Sequence, residues 1–170
     1  LGGRSRGAVS PWWVVDSWSG FATLYHGAGA KQGLTVTIPA STSGQKGTPT
    51  GTIYNGSPTD FLIAPGKPAI FLFCTLDGTI AGWNPTTNAV TIVKGKKGSV
   101  YTGLTSAFAL GRRCLYAANF GTGHVDVYDG AFHWQPSGAE RFDDDQTTPD
   151  YVPYHWQTNG NDMVVHCTSP

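Results

Sequence analysis

Short runs of apolar and β-branched residues, rather than long helical periods, organise this chain. These runs alternate throughout with turns rich in Gly, Pro, Asn and Asp. The pattern is typical of β-strands joined by tight turns. In one run, Val125 and Val127 alternate with His124 and Asp126, as expected of a strand with one buried face. The chain is therefore predicted to be all-β.

One hairpin pattern occurs three times. Each copy has an apolar strand, a polar turn that ends in glycine, and a second strand with an aromatic residue five positions after that glycine. The glycine and aromatic pairs are Gly20 and Tyr25, Gly78 and Trp83, and Gly123 and Tyr128. Glycine supplies the positive φ that a tight hairpin turn requires. The copies therefore predict three hairpins of the same kind.

Further strands flank these hairpins. Leading strands are predicted at residues 50–54, 102–105 and 152–157, outermost strands at 34–38 and 89–93, and the start of a fourth hairpin at 163–167. The turn glycines are 58 and 45 residues apart. Four strands per unit with a spacing of roughly 45 residues are typical of a propeller blade. The prediction is one partial β-propeller domain over residues 1–170, with blades at 1–40, 49–94 and 100–137 and an incomplete fourth at 151–170.

The incomplete blades at the two ends of the chain are expected to favour self-association. Propellers close with about four to eight blades, so this chain cannot close well alone. Blades without neighbours leave unpaired strand edges. We therefore expect the chain to self-associate through its open blade edges.

Composition limits the classes of partner. The 11 basic and 11 acidic residues cancel, which gives no electrostatic basis for binding nucleic acid or an anionic membrane surface. No apolar run approaches the roughly 20 residues of a membrane span. A 39% apolar content with six Trp is enough to fill a core. The expected partner is an unknown ligand or protein.

Six segments in order carry a family resemblance. They are PWWVVD (11–16), LYHGAG (24–29), PTGTIYNG (49–56), DGTIAGWNP (77–85), VYTGL (100–104) and LYAANF (115–120). From about residue 11 to 157, the chain resembles an uncharacterised family of secreted NHL-type β-propeller proteins. Full members are about twice as long, which implies that this chain is a fragment or a truncated product. The segment 143–156 departs most, since His155-Trp156 replaces a smaller polar residue and an aliphatic one.

The resemblance also implies a location. The family is usually exported, so an extracellular or periplasmic setting is expected. The residues that follow Leu1 show no signal-peptide pattern, so this expectation rests on the resemblance alone. No catalytic residues are established for the family.

Three polar residues are candidate channel-end binding positions: Asp16, Asn55 and Asn119. Asp16, Cys74 and Asn119 lie four positions before their turn glycines, which predicts one shared position. Turn capping is the simpler interpretation, because Asp and Asn bond nearby backbone groups. A ring of ligands is the alternative, although Cys74 argues against an oxygen-only calcium site. Asn55-Gly56-Ser57 fits either a glycosylation acceptor or a plain turn.

The remaining chemistry-bearing residues show no site pattern. Cys74, Cys114 and Cys167 lack metal-ligand spacing and are predicted to be thiols, with a single disulfide as the alternative. The five histidines are scattered, so neither a metal nor another cofactor is expected. The acidic run 143–145 and the basic run 94–98 are interpreted as solvated loops.

Three functional hypotheses remain. The leading one is a binding or scaffold module without catalytic machinery. The second is a fragment of a metal-dependent propeller hydrolase resembling lactonases, to which Asp16, Asn55 and Asn119 would contribute ligands. The third is an inactive truncated product. Asn55 follows a first strand and the other two end second strands, so their side-chain oxygens are predicted not to meet.

Overall fold

The structure is a computed structural model that describes residues 3–7, 10–109, 111–136, 151–159 and 162–169. Between residues 10 and 130 the described part contains strands and turns and no helix, as predicted. Across the described residues, no helix has the length and apolar character needed to cross a membrane. The acidic run 143–145 lies outside the described residues.

The strands form successive antiparallel sheets in chain order. The first sheet has the order β1 (Arg4–Ser5), β2 (Trp12–Asp16), β3 (Phe21–Tyr25) and β4 (Lys31–Thr37). The second contains β5 (Pro49–Tyr54), β8 (Phe71–Thr75), β9 (Thr79–Trp83) and β10 (Val90–Lys94). A small separate hairpin of β6 (Leu62–Ala64) and β7 (Lys67–Pro68) lies between β5 and β8 in sequence. The second sheet thus follows the predicted order from a leading strand to an outermost strand, whereas the leading strand β1 of the first sheet was not predicted.

Two further sheets complete the described fold. The third contains β11 (Tyr101–Ala109), β12 (Arg112–Asn119) and β13 (His124–Asp129), and the fourth contains β14 (Val152–Asn159) and β15 (Asp162–Thr168). The predicted leading strands of both sheets are confirmed. Repeated antiparallel sheets of this kind form an all-β partial propeller.

The three predicted hairpin glycines have the expected conformation. Gly20, Gly78 and Gly123 have φ values of 72°, 71° and 75°. A side chain is disfavoured at such φ values, which explains why glycine recurs at the end of each turn. The sequence pattern therefore identified the turns correctly.

The shared position that was assigned to Cys74 is wrong. Strand β2 ends at Asp16 and β12 ends at Asn119, each with four residues before the next strand begins, but β8 ends at Thr75 with only three. An alignment of the three copies on their turn glycines therefore misplaces the strand residues of the second copy by one position. Thr75 is the counterpart of Asp16 and Asn119, while Cys74 faces the third sheet as part of the second core cluster.

Alternate residues of each sheet fill the spaces between neighbouring sheets. Trp13 of the first sheet stacks on Phe71 of the second, with ring centroids 4.3 Å apart. Leu72 of the second sheet and Leu115 of the third share the next cluster, and Trp156 of the fourth packs into the last. Three separate clusters thus hold four sheets together, each joining two neighbours through period-two alternation.

The β6–β7 hairpin was not predicted. Phe61 precedes it with a positive φ of 60°, and Phe132 of the next unit has a φ of 64°. The two rings lie 5.3 Å apart, and the amide of Phe61 donates to the carbonyl of Gly130. Packing of these rings between the second and third units holds two residues in a conformation that costs about 1–3 kcal/mol each.

Candidate functional site

The innermost strands of the four sheets surround a cavity of about 210 Å³. Its lining comes from equivalent register positions of the four innermost strands: Gly3 with Arg4 and Ser5 of β1, residues 51–53 of β5, 103–105 of β11 and 155–156 of β14. Cross-strand pairs fix this equivalence, because Arg4, Thr52 and Leu104 pair with Val14, Phe73 and Ala117. The cavity is thus built by the repeat and lies where propeller ligands are expected.

Glycines bring these strands close together. A Cβ on Gly51 would lie 3.1 Å from the backbone nitrogen of Leu104, and a Cβ on Gly103 would lie 3.2 Å from Cα of His155. Gly3 lies similarly close to the second sheet, because a Cβ on Gly3 would be 3.0 Å from the backbone nitrogen of Thr52. A side chain at these positions would force the neighbouring strand to shift by a few tenths of an ångström or more. The glycines therefore set the width of the central space.

Thr52 presents a buried hydroxyl that lacks a hydrogen-bond partner among the described residues. The residue is about nineteen-twentieths buried, and it lines the cavity. A buried hydroxyl without a partner costs about 1–3 kcal/mol. Such a group at a cavity wall is a natural contact for a water molecule or a polar ligand.

Arg4 and His155 give the cavity its polar rim. Arg4 carries the only formal charge among the described lining residues, and its guanidinium lies 5.9 Å from the ring centroid of Trp12. Burial, and then the nearby His166, lower the pKa of His155. His155 is therefore neutral near pH 7, and the cavity is weakly cationic.

Asp16 serves as a turn cap at the end of β2. Its carboxylate accepts a 3.0 Å hydrogen bond from the amide of Trp18. Hydrogen bonds from the Ser19 side chain and from the Trp18 amide lower its pKa. These contacts match the capping interpretation of Asp16.

Asn55 is buried and fully engaged in its own loop. Its Oδ1 accepts from the amide of Ser57, and its Nδ2 donates to the carbonyls of Ser57, Asp60 and Ala69. These contacts match the plain-turn interpretation of Asn55, and the glycosylation interpretation stays untested. Asn55 closes the loop that precedes β6.

Asn119 belongs to a buried polar network. Its Oδ1 accepts from the amide of Val100, while its Nδ2 donates to Ser99 and, at 2.8 Å, to the carboxylate of Asp126. Asp126 also accepts from Tyr101, whose hydroxyl lies 2.8 Å from that of Tyr128. Burial raises the pKa of Tyr128 to about 12, and burial with its two polar neighbours raises that of Tyr101 further.

The three candidate residues do not share one end of the fold. Pro49 at the start of β5 pairs with Thr75, whereas Tyr54 at its end pairs with Phe71. Asn55 therefore follows the end of the sheet opposite to Thr75, the counterpart of Asp16 and Asn119. Five residues of extended strand separate these ends by about 17 Å. The geometry excludes a common point for all three oxygens.

The described residues contain no group of three His, Cys, Asp or Glu side chains arranged to hold a metal ion. Cys74 and Cys114 are buried thiols, and Cys167 is exposed. Burial raises the pKa of Cys74 to about 12.

The cavity-lining residues were missed by the sequence reasoning, although a signal was present. Gly51 and Gly103 each follow a threonine within a predicted leading strand, and a glycine within a strand marks a close backbone approach. Comparing the leading strands with one another, rather than only the hairpins, would have identified this position.

Comparison with known proteins supports the fold. No protein-family model matches the chain, and no curated protein matches it in sequence. The structure is similar to that of selenomethionine-substituted virginiamycin B lyase from Staphylococcus aureus, with a TM-score of 0.64 and 10% sequence identity. The match covers 94% of this chain and 46% of that chain, so this chain spans about half its length. At that identity the likeness shows the fold alone, and the chain is a partial β-propeller.

Proposed function

We propose that this chain is a binding module whose ligand is a small oxyanion, a carboxylate or a phosphate, held in the cavity between the innermost strands. The buried, unpartnered hydroxyl of Thr52 in the cavity wall carries the proposal. A hydroxyl donates to an anionic oxygen, and Arg4, a lining residue whose guanidinium lies 5.9 Å from the Trp12 ring centroid, is a nearby charge of matching sign. A cavity of about 210 Å³ limits the ligand to a small molecule.

The location of the three candidate residues favours binding over metal-dependent hydrolysis. A metal that activates water needs several oxygen or nitrogen ligands around one point. Asn55 lies at the opposite end of its sheet from the counterparts of Asp16 and Asn119. Their oxygens also accept hydrogen bonds from local backbone amides. These contacts support structural roles rather than a shared metal site.

The proposed setting follows the family resemblance. Membership of the secreted NHL-type family, and with it an extracellular or periplasmic location, is part of the proposal. Export of the parent protein would bring the cavity into contact with small anions of the surroundings rather than with cytoplasmic metabolites.

Calorimetry tests the binding proposal with two probes, succinate and inorganic phosphate. We expect at least one to bind the purified chain, and Thr52→Val to weaken that binding at least about tenfold. Thr59→Val is the matched control, because Thr59 is exposed and does not line this cavity. Equal binding by Thr52→Val, or no binding of either probe, would refute the proposal. Hydrolysis of a lactone that depends on added divalent metal would favour the hydrolase instead.

A further inference from the structure

Three innermost strands share one irregularity, and His155 stands directly after it. The pairing of each strand shifts register once, between Pro49 and Gly51 in β5, Tyr101 and Gly103 in β11, and Pro153 and His155 in β14. The residue after the shift is glycine in β5 and β11 and histidine in β14. His155 therefore occupies the glycine position of the innermost strands, and it lines the central cavity.

The cross-strand partner at this position also differs in the fourth sheet. The partner is a small residue in the second and third sheets and another histidine in the fourth: Gly51 pairs with Cys74, Gly103 with Ala118, and His155 with His166. Departures from the pattern that a fold otherwise follows are expected at functional positions. The imidazole of His155 is therefore a candidate for a role in the cavity.

Basic side chains flank His155. The ring centroid of His166 on β15 lies 6.1 Å from that of His155, and Arg4 of β1 lines the same cavity. None of the described lining residues is acidic. Burial, and then His166, lower the pKa of His155. The free cavity therefore disfavours a positive charge on this imidazole.

Among the described residues, the other strands packed on β14 place no carboxylate against His155. Gly103 is the β11 residue at the contact, and Tyr116 of β12 packs on Trp156. The carboxylate of Asp126 on β13 accepts hydrogen bonds from Tyr101 and Asn119. An anion in the cavity would therefore supply the negative charge that His155 lacks.

We infer that His155 takes up a proton when the cavity binds its anion, and that the charged imidazole then donates to that anion. The inference rests on the function proposed above and adds its control by pH. A bound anion offsets the repulsion from His166 and Arg4, and hydrogen bonds from a charged donor are the stronger ones. Because the bound state holds this proton more strongly than the free state, the affinity for the anion rises as the pH falls.

NMR titration of the His155 imidazole tests the coupling directly, with succinate and inorganic phosphate as probes. We expect a saturating probe to raise the pKa of His155 by at least about 1, which corresponds to about tenfold tighter binding by the protonated form. His26 is the matched reference, because it is exposed between β3 and β4 and does not line the cavity. Its pKa should not change when the probe binds.

Calorimetry of two variants separates this role from a structural one. His155→Asn removes the titrating group, and His155→Gly restores the residue that β5 and β11 have at this position. Each variant should bind the probe within about twofold of wild type at pH 8 and at least about fivefold more weakly than wild type at pH 5. Comparing wild type with variant at one pH cancels the titration of the probe itself. His26→Asn should match wild type at both pH values, and circular dichroism verifies that each variant retains its β-structure.

The outcomes distinguish this inference from the binding function on which it rests. Binding of a probe with an unchanged pKa of His155, or with the same ratio of wild-type to variant affinity at pH 5 and pH 8, would overturn the inference and leave the binding function standing. No binding of either probe at any pH between 5 and 8 would refute both.

Discussion

The hydroxyl of Tyr101 donates a 2.8 Å hydrogen bond to the carboxylate of Asp126, and both residues are buried within the third sheet. Tyr101 begins the innermost strand and Asp126 lies on the third strand, so the bond spans the sheet. The amide of Asn119 on the middle strand donates to the same oxygen. A network of this kind stabilises a sheet when every member has a partner.

Tyr101→Phe should therefore destabilise the chain. The change removes one donor to Asp126 and leaves the Tyr128 hydroxyl without its acceptor, which costs about 1–3 kcal/mol of the free energy of unfolding. Urea denaturation measures the loss. Tyr151→Phe, at an exposed position, should stay within about 0.5 kcal/mol of wild type. Equal stability of the two variants would show that the network contributes nothing.

Gly51→Ala should destabilise the packing of innermost strands. The added Cβ would lie 2.9 Å from Sγ of Cys74 and 3.1 Å from the nitrogen of Leu104, so strands must move apart at a cost of about 1–3 kcal/mol. Gly33→Ala is the control, because nothing lies within 4 Å of its Cβ. Thermal or urea unfolding of both variants checks the difference, and a neutral Gly51→Ala would contradict the close approach.

Asp77 should make stability fall in acid. Burial raises its pKa, but hydrogen bonds from the Ser41 amide and the Thr75 hydroxyl outweigh burial and hold the pKa below its usual value. A depressed carboxyl pKa contributes stability above the unfolded-state value, and this is lost as pH falls through the folded-state value. The denaturant concentration at the unfolding midpoint should therefore decrease as the pH falls below about 4. Asp77→Asn should make this midpoint less dependent on pH. An unchanged acid slope in the variant would rule out this role.

Cys74 should resist thiol reagents in the folded protein. It is fully buried, and its pKa is raised to about 12, so the reactive thiolate is scarce near pH 8. Iodoacetamide followed by mass spectrometry should modify the exposed Cys167 first. Cys74 should react only after the chain unfolds in denaturant, which provides the positive control. Rapid labelling of Cys74 in buffer would mean that the second and third sheets separate readily.

The fold was predictable because its signals are local. Turn glycines such as Gly78 need a positive φ, and alternating valines mark a half-buried strand, so strands and turns follow from short windows of sequence. Register was less predictable, since the shorter loop after Thr75 is visible only once strands pair. The cavity was missed because Thr52, Leu104 and Trp156 come together through the arrangement of whole sheets. The β6–β7 hairpin was not predicted for a similar reason. The contact between Phe61 and Phe132, which lie far apart in sequence, stabilises it.

The pairwise core clusters bear on how the protein forms during synthesis. Each cluster joins a sheet only to the one made just before or just after it. Each sheet after the first can therefore pack on the preceding sheet as soon as it has been synthesised. Burial of that one side does not require residues that come later in the chain. Since nascent chains fold from the N-terminus onward, this arrangement allows the sheets to fold one after another during translation. At each step, the apolar outer side of the newest sheet stays exposed until the next sheet packs on it.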